Sequence, residues 1–200
     1  MTRGCFIAFE GGDGSGKSTQ ARLLAEAIGA VLTREPGGTV IGERIRALVL
    51  DPALGPMDDR AEALLMAAAR AQHVAEVIEP ALAAGRHVVT DRFLASSVAY
   101  QGYGRGLDPA EVLQLSLWAT AGVQPDVVVL LDVPPTLGSD RRGADRDRLE
   151  AAGEAFHGAV ADGFRAQAAA DPTRWLVLDG TRSVADLSAT VLTHVTKRLS

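Results

Sequence analysis

The segment Gly11-Gly12-Asp13-Gly14-Ser15-Gly16-Lys17-Ser18 constrains this chain more than any other. It has the spacing G-x-x-x-x-G-K-[ST] and lies between an apolar, strand-like run at 5–9 and a helical pattern at 21–28. Glycines let backbone N–H groups converge on phosphate oxygens, and the following helix N-terminus adds positive potential. In such a loop Lys17 reaches the β- and γ-phosphates, and the Ser18 hydroxyl is placed to ligate Mg²⁺. A plain glycine-rich turn would explain the glycines but not Gly-Lys-Ser at this register. Residues Gly11, Gly12, Asp13, Gly14, Ser15, Gly16, Lys17, Ser18 and Thr19 are therefore the expected nucleotide contacts.

Five apolar runs, at 5–9, 30–33, 87–90, 127–133 and 175–178, alternate with helical patterns at 21–28, 61–82, 109–121, 149–170 and 184–199. Strands alternating with helices predict an α/β fold, a five-stranded parallel sheet with helices on both faces. Ligands in such sheets bind at the carboxyl ends of the strands. No repeat or linker interrupts 1–200, which reads as one domain. Residues 137–150, rich in Arg, Asp and Gly, read as a short lid.

The bulk properties exclude several classes. At 200 residues the chain can bury a core without disulfides or metals. No stretch approaches the ~18 consecutive apolar residues that span a bilayer. A net charge of −5 argues against broad nucleic-acid binding, which needs a basic face. The start runs straight into a strand-like segment without a secretory leader, and a single cysteine allows no internal bridge, so a cytoplasmic location is expected. Cys5 reads as a small core residue. Eighteen of the twenty basic residues are arginine, which makes the lysine at 17 stand out.

Which P-loop protein this is depends on the other motifs. GTPases read guanine through N-K-x-D, and the chain has no asparagine. From Asp91 it reads D-R-F-L-A-S-S-V-A-Y-Q-G, and Thr33–Thr39 reads T-R-E-P-G-G-T. Arg70-Ala71-Gln72-His73, Leu131-Asp132-Val133-Pro134-Pro135 and Asp147-Arg148-Leu149-Glu150 complete the set. Together these resemble the thymidylate kinases of bacterial type, over nearly the whole chain from Phe9 to about Asp179. The resemblance implies the nucleoside monophosphate kinase-like form of the P-loop fold. It also implies transfer of the γ-phosphate of ATP to dTMP, Mg²⁺ as cofactor, and a homodimer that binds neither nucleic acid nor membrane.

It further implies roles for single residues. Arg92 would grip the dTMP phosphate, with Arg46 as a second contact or a solvated arginine. Asp91 would position the metal through water beside Ser18. Asp13 would orient the acceptor, or merely stabilise its turn. Arg70 would bond the thymine edge. Met66 stands where the family usually stacks a phenylalanine on the base, so it either packs on the ring or fills core. Ser97, Tyr100 and Gln101 would surround base and sugar, Tyr100 crowding a 2′-hydroxyl. The P-loop carries no arginine, so the lid would supply the one that stabilises the transition state. Arg142 and Arg146 are the candidates among Arg141, Arg142, Arg146 and Arg148. Two other readings stay open at this point: a kinase for dUMP, dCMP or thymidine, and a P-loop switch protein that binds ATP and signals.

Overall fold

The computed structural model describes residues 2–134, 137 and 147–199. Five strands, β1 (Phe6–Glu10), β2 (Val31–Arg34), β3 (Val88–Asp91), β4 (Val127–Asp132) and β5 (Trp175–Asp179), pair in parallel in the order β2-β3-β1-β4-β5. β1 is central and wholly buried. Its alternate residues feed two cores, as the two-residue period of a strand requires. Ile7 and Phe9 pack with Val129, Leu131 and residues of α1 (Lys17–Ile28), while Phe6 and Ala8 pack with Ile78, Leu82 and Phe93 on the opposite face.

The other α-helices bounded within the described residues are α2 (Val40–Leu50), α3 (Asp59–His73), α4 (Glu79–Ala83), α5 (Leu94–Ser97), α6 (Pro109–Ala119), α7 (Glu154–Ala170) and α8 (Val184–Leu199). Local chemistry sets their starts. Thr39 caps α2 by accepting from the Gly42 N–H at 2.9 Å, and Asp58 and Asp108 cap α3 and α6. α1 ends on Gly29 in the left-handed conformation, φ 64°.

Three departures from the sequence reading have physical reasons. The long helix expected over 61–82 is interrupted by a π-helical turn, Val74–Ile78. Pro80 follows directly; it has no N–H for the carbonyl four residues back, and its ring crowds that turn. The helix expected from 149 begins at Glu154, after a 3₁₀ turn (Glu150–Ala152) and Gly153 at φ 94°. Finally, α5 runs into a second π-helical turn, Val98–Gly104, inside the stretch read only as a motif. Residues 93–102 are all buried, so they show no polar face and no helical period.

That second turn carries Tyr100 and Gln101 and packs closely on α7. A Cβ at Gly104 would lie 2.6 Å from the Phe156 ring, and one at Gly163 would lie 2.8 Å from the Tyr103 ring. Each glycine thus admits an aromatic ring from the other element. Gly104→Ala should cost about 1–3 kcal/mol by overpacking. Chemical denaturation should show it as a lower midpoint.

Candidate active site

β1 ends at Glu10 and delivers the loop to the carboxyl edge of the sheet. Gly11 turns there with φ 137°, and a Cβ on it would sit 2.5 Å from the Leu131 carbonyl, so no side chain fits. Lys17 begins α1 and is buried. Its Nζ donates to the Gly12 carbonyl at 2.7 Å and to Ser15 Oγ at 3.3 Å, which keeps the loop folded around it. Burial, aided by the Arg92 charge, depresses the ammonium to about 8 against the pull of Asp91, Asp13 and Glu10.

At the next position of the same helix, Ser18 Oγ donates to Asp91 Oδ2 at 2.5 Å. The other carboxylate oxygen, Asp91 Oδ1, is buried and has no hydrogen-bond partner. A hydroxyl beside an orphaned carboxylate oxygen, next to a phosphate loop, fits a hard cation such as Mg²⁺. That ion keeps several waters and takes few protein ligands.

Beside the loop opens a cavity walled by α2, α3 and the segment 91–101. Asp13, Arg46, Met66, Arg70, Arg92, Ser97, Tyr100 and Gln101, which the sequence singled out, all line it. Arg92 is central. Its backbone lies in the left-handed region, φ 72°, unusual for arginine, and the Thr90 hydroxyl holds its carbonyl at 2.9 Å. NH1 donates to the Gly11 carbonyl and to Ser96 Oγ, each at 3.0 Å. NH2 donates to Asp13 Oδ1 at 2.5 Å and to Tyr100 OH at 3.0 Å. The Tyr100 hydroxyl in turn donates to Asp13 Oδ2 at 2.8 Å.

Electrostatics follow from that packing. Burial alone would raise the Asp13 carboxyl, but Arg92, Lys17 and the Tyr100 hydrogen bond outweigh it and hold it well below the usual range. Burial and the Asp13 charge keep the Tyr100 phenol protonated far above its ordinary value. The sequence reading passed over Glu10, which is fully buried. It accepts from the Phe93 N–H at 2.9 Å and from Ser96 Oγ at 2.6 Å. Burial pushes this carboxyl up to about 7, although Ser96 and Arg92 pull it down. A lone acid in a buried strand was the only signal for it.

The cavity gives several of the singled-out residues definite partners. Met66 packs with Tyr100, Leu149 and Phe156 and also faces the cavity, so core filling and pocket wall are one position. Arg46 is no free surface arginine: NH1 donates to the Pro36 carbonyl at 3.0 Å. Gln101 lines the pocket while its Nε2 donates to the buried Glu62 at 2.8 Å. Arg148, grouped by sequence with the lid arginines, instead points inward to Glu62 (2.5 Å) and the Val49 carbonyl (2.9 Å). Arg141, Arg142 and Arg146 lie outside the described residues.

A phosphate loop on a 2-3-1-4-5 parallel sheet, opening onto an arginine-lined cavity, defines a P-loop phosphotransferase of the nucleoside monophosphate kinase type. A sequence model of the family described as Thymidylate kinase matches residues 9–191. The chain is 53% identical to a thymidylate kinase of Cutibacterium acnes, over 98% of both chains. It is 48% identical to that of Chromohalobacter salexigens, over 100% of this chain and 99% of the relative. The crystal structure of thymidylate kinase from Ehrlichia chaffeensis superposes with a TM-score of 0.80 at 33% identity, over 97% and 99% of the two chains. The chain belongs to the thymidylate kinase family, and its reaction is transfer of the γ-phosphate of ATP to dTMP, giving dTDP and ADP.

The depressed Lys17 ammonium has a measurable consequence. Anionic phosphates in the loop restore its charge, so ATP binding above about pH 8 should take up a proton and weaken as pH rises. Calorimetry at about pH 9 in buffers of different ionisation heat should show this uptake, and Lys17→Arg should abolish it, because a guanidinium does not titrate there.

Proposed function

We propose that phosphoryl transfer runs in line across the Asp13–Arg92 contact, within a single kinase domain spanning 1–200 that carries its lid at about 137–150. The observation that supports this most is that one P-loop carboxylate and the acceptor-side guanidinium touch, so donor and acceptor sites share a wall. ATP lies along the amides of residues 11–19 with Lys17 on its β- and γ-phosphates. Arg92 grips the dTMP phosphate and Arg46 stands as a second cation at the same cavity. The protein acceptors already take four N–H groups of Arg92, so the phosphate competes for donors that are fixed in advance.

No nucleophilic side chain is needed, because the attacking phosphate oxygen is already anionic. Ser18, with Asp91 acting through water, would hold Mg²⁺, which neutralises charge on the transferring phosphates. Asp13 and Tyr100 orient the sugar, and the Tyr100 hydroxyl crowds a 2′-hydroxyl. Met66 packs on the base, Ser97 and Gln101 close the pocket around base and sugar, and Arg70 bonds the thymine edge. Arg142 and Arg146 of the lid stabilise the charge on the equatorial oxygens.

The same reading includes a homodimer in the cytoplasm. Among the described residues, no helix is long and apolar enough to cross a membrane. The neighbouring helices α2, α3 and α6 turn Val40, Ile41, Leu64 and Trp118 outward, Trp118 being 83% exposed. These outward apolar side chains support association through these helices.

Lys17→Ala should lower kcat at least about a hundredfold, the scale of losing one fixed transition-state donor. Arg92→Ala should raise the dTMP KM about tenfold or more and lower kcat as well. Steady-state ADP release near wild type in both variants would remove the site assignment. Trp118→Glu should shift the sedimentation of the enzyme from dimer to monomer; an unchanged coefficient would exclude this face.

A further inference from the structure

Two of the sequence motifs carry residues that the reaction leaves without a role: Glu35 in T-R-E-P-G-G-T and His73 in R-A-Q-H. The fold brings them together. Glu35 is buried and lines the acceptor cavity, and its Oε2 accepts from Arg70 Nε at 2.8 Å. Its Oε1 lies 2.9 Å from His73 Nδ1, and His73, with no exposed surface, lies 2.6 Å from Thr33 Oγ1 through Nε2. Facing a carboxylate oxygen, Nδ1 must donate; the Thr33 hydroxyl serves Nε2 in either protonation state, since a hydroxyl both donates and accepts.

The consequence falls on Arg70. Of its five N–H groups, one goes to Glu35, one to Ser116 Oγ at 3.1 Å, and two to Ser97 Oγ and the Phe93 carbonyl. A guanidinium held so completely presents a donor, never an acceptor, to the pyrimidine edge. Glu35 Oε1 is the group that could spoil this selection. Left uncapped at the cavity wall, it would accept a hydrogen bond from a 4-amino base and would let Arg70 swing with it.

We propose that His73, seated on Thr33, is a specificity-setting positioning residue: by capping Glu35 Oε1 it leaves the Arg70 donor as the group offered to the pyrimidine 4-position, selecting a 4-carbonyl over a 4-amino pyrimidine. This rests on the assignment of Arg70 to the base edge. A site built to hydrogen-bond one polarity rejects the other because its buried groups go unpaired.

The test compares dTMP with dCMP as acceptors in three variants. His73→Phe keeps the ring volume and removes both nitrogens. It should raise the dTMP KM and cut the dTMP-over-dCMP ratio of kcat/KM, each about tenfold, with the ATP KM unchanged. Thr33→Val, an isosteric change on a half-buried side chain, should move the ratio the same way by about threefold and carries the test if His73→Phe does not fold. Arg70→Leu should collapse the preference outright. A wild-type ratio in His73→Phe, or in Thr33→Val standing in for it, overturns the proposal while a collapsed ratio in Arg70→Leu leaves the base-edge reading intact. A wild-type ratio in Arg70→Leu overturns that reading itself.

Discussion

The contact between Asp13 and Arg92 joins residues 79 positions apart, and the rest of the site is arranged around it. The loop needs a lysine buried among its own carbonyls, and burial costs that lysine part of its charge. The acceptor side needs an arginine poised at the edge of the sheet. Two cations so close would repel without an anion between them, and Asp13 supplies it from inside the loop, anchored by Tyr100 and kept ionised by both. Glu10 offsets the same field from below, at the end of β1.

Much of this was legible from residues in order. The loop declares itself because its chemistry is local: glycines, lysine and serine act through their own backbone and neighbours. The strands were legible because β1 and β4 are buried on both faces and therefore read as unbroken apolar runs. Their alternation with helices was enough to set the parallel sheet. Residues carried by a motif, such as Arg92 and Tyr100, do line the cavity, but their partners could not be read from the order of residues.

What was not legible is partnership across the fold. Arg148 sits among lid-like residues in sequence, yet its guanidinium shares the buried Glu62 with Arg105 and Gln101. A solvated arginine and a buried one look alike until the carboxylate that holds it is located. Glu35 and His73 are 38 positions apart, and only the approach of β2 to α3 lets one cap the other. The start of the second π-helical turn was hidden for the opposite reason: residues 93–102 are so uniformly buried that no period remains to read.

The left-handed backbone at Arg92 sets two demands against each other. A residue with a Cβ gives up about 1–2 kcal/mol to stand in that conformation, whereas glycine adopts it freely. The fold alone would therefore be better served by no side chain at position 92, where Thr90 and Glu10 must fasten the turn on either side. The phosphate grip proposed for Arg92 calls for the longest cationic side chain available. The proposed anion grip thus stands on a backbone that its own side chain disfavours, so a more robust folded state and a working clamp are alternatives there.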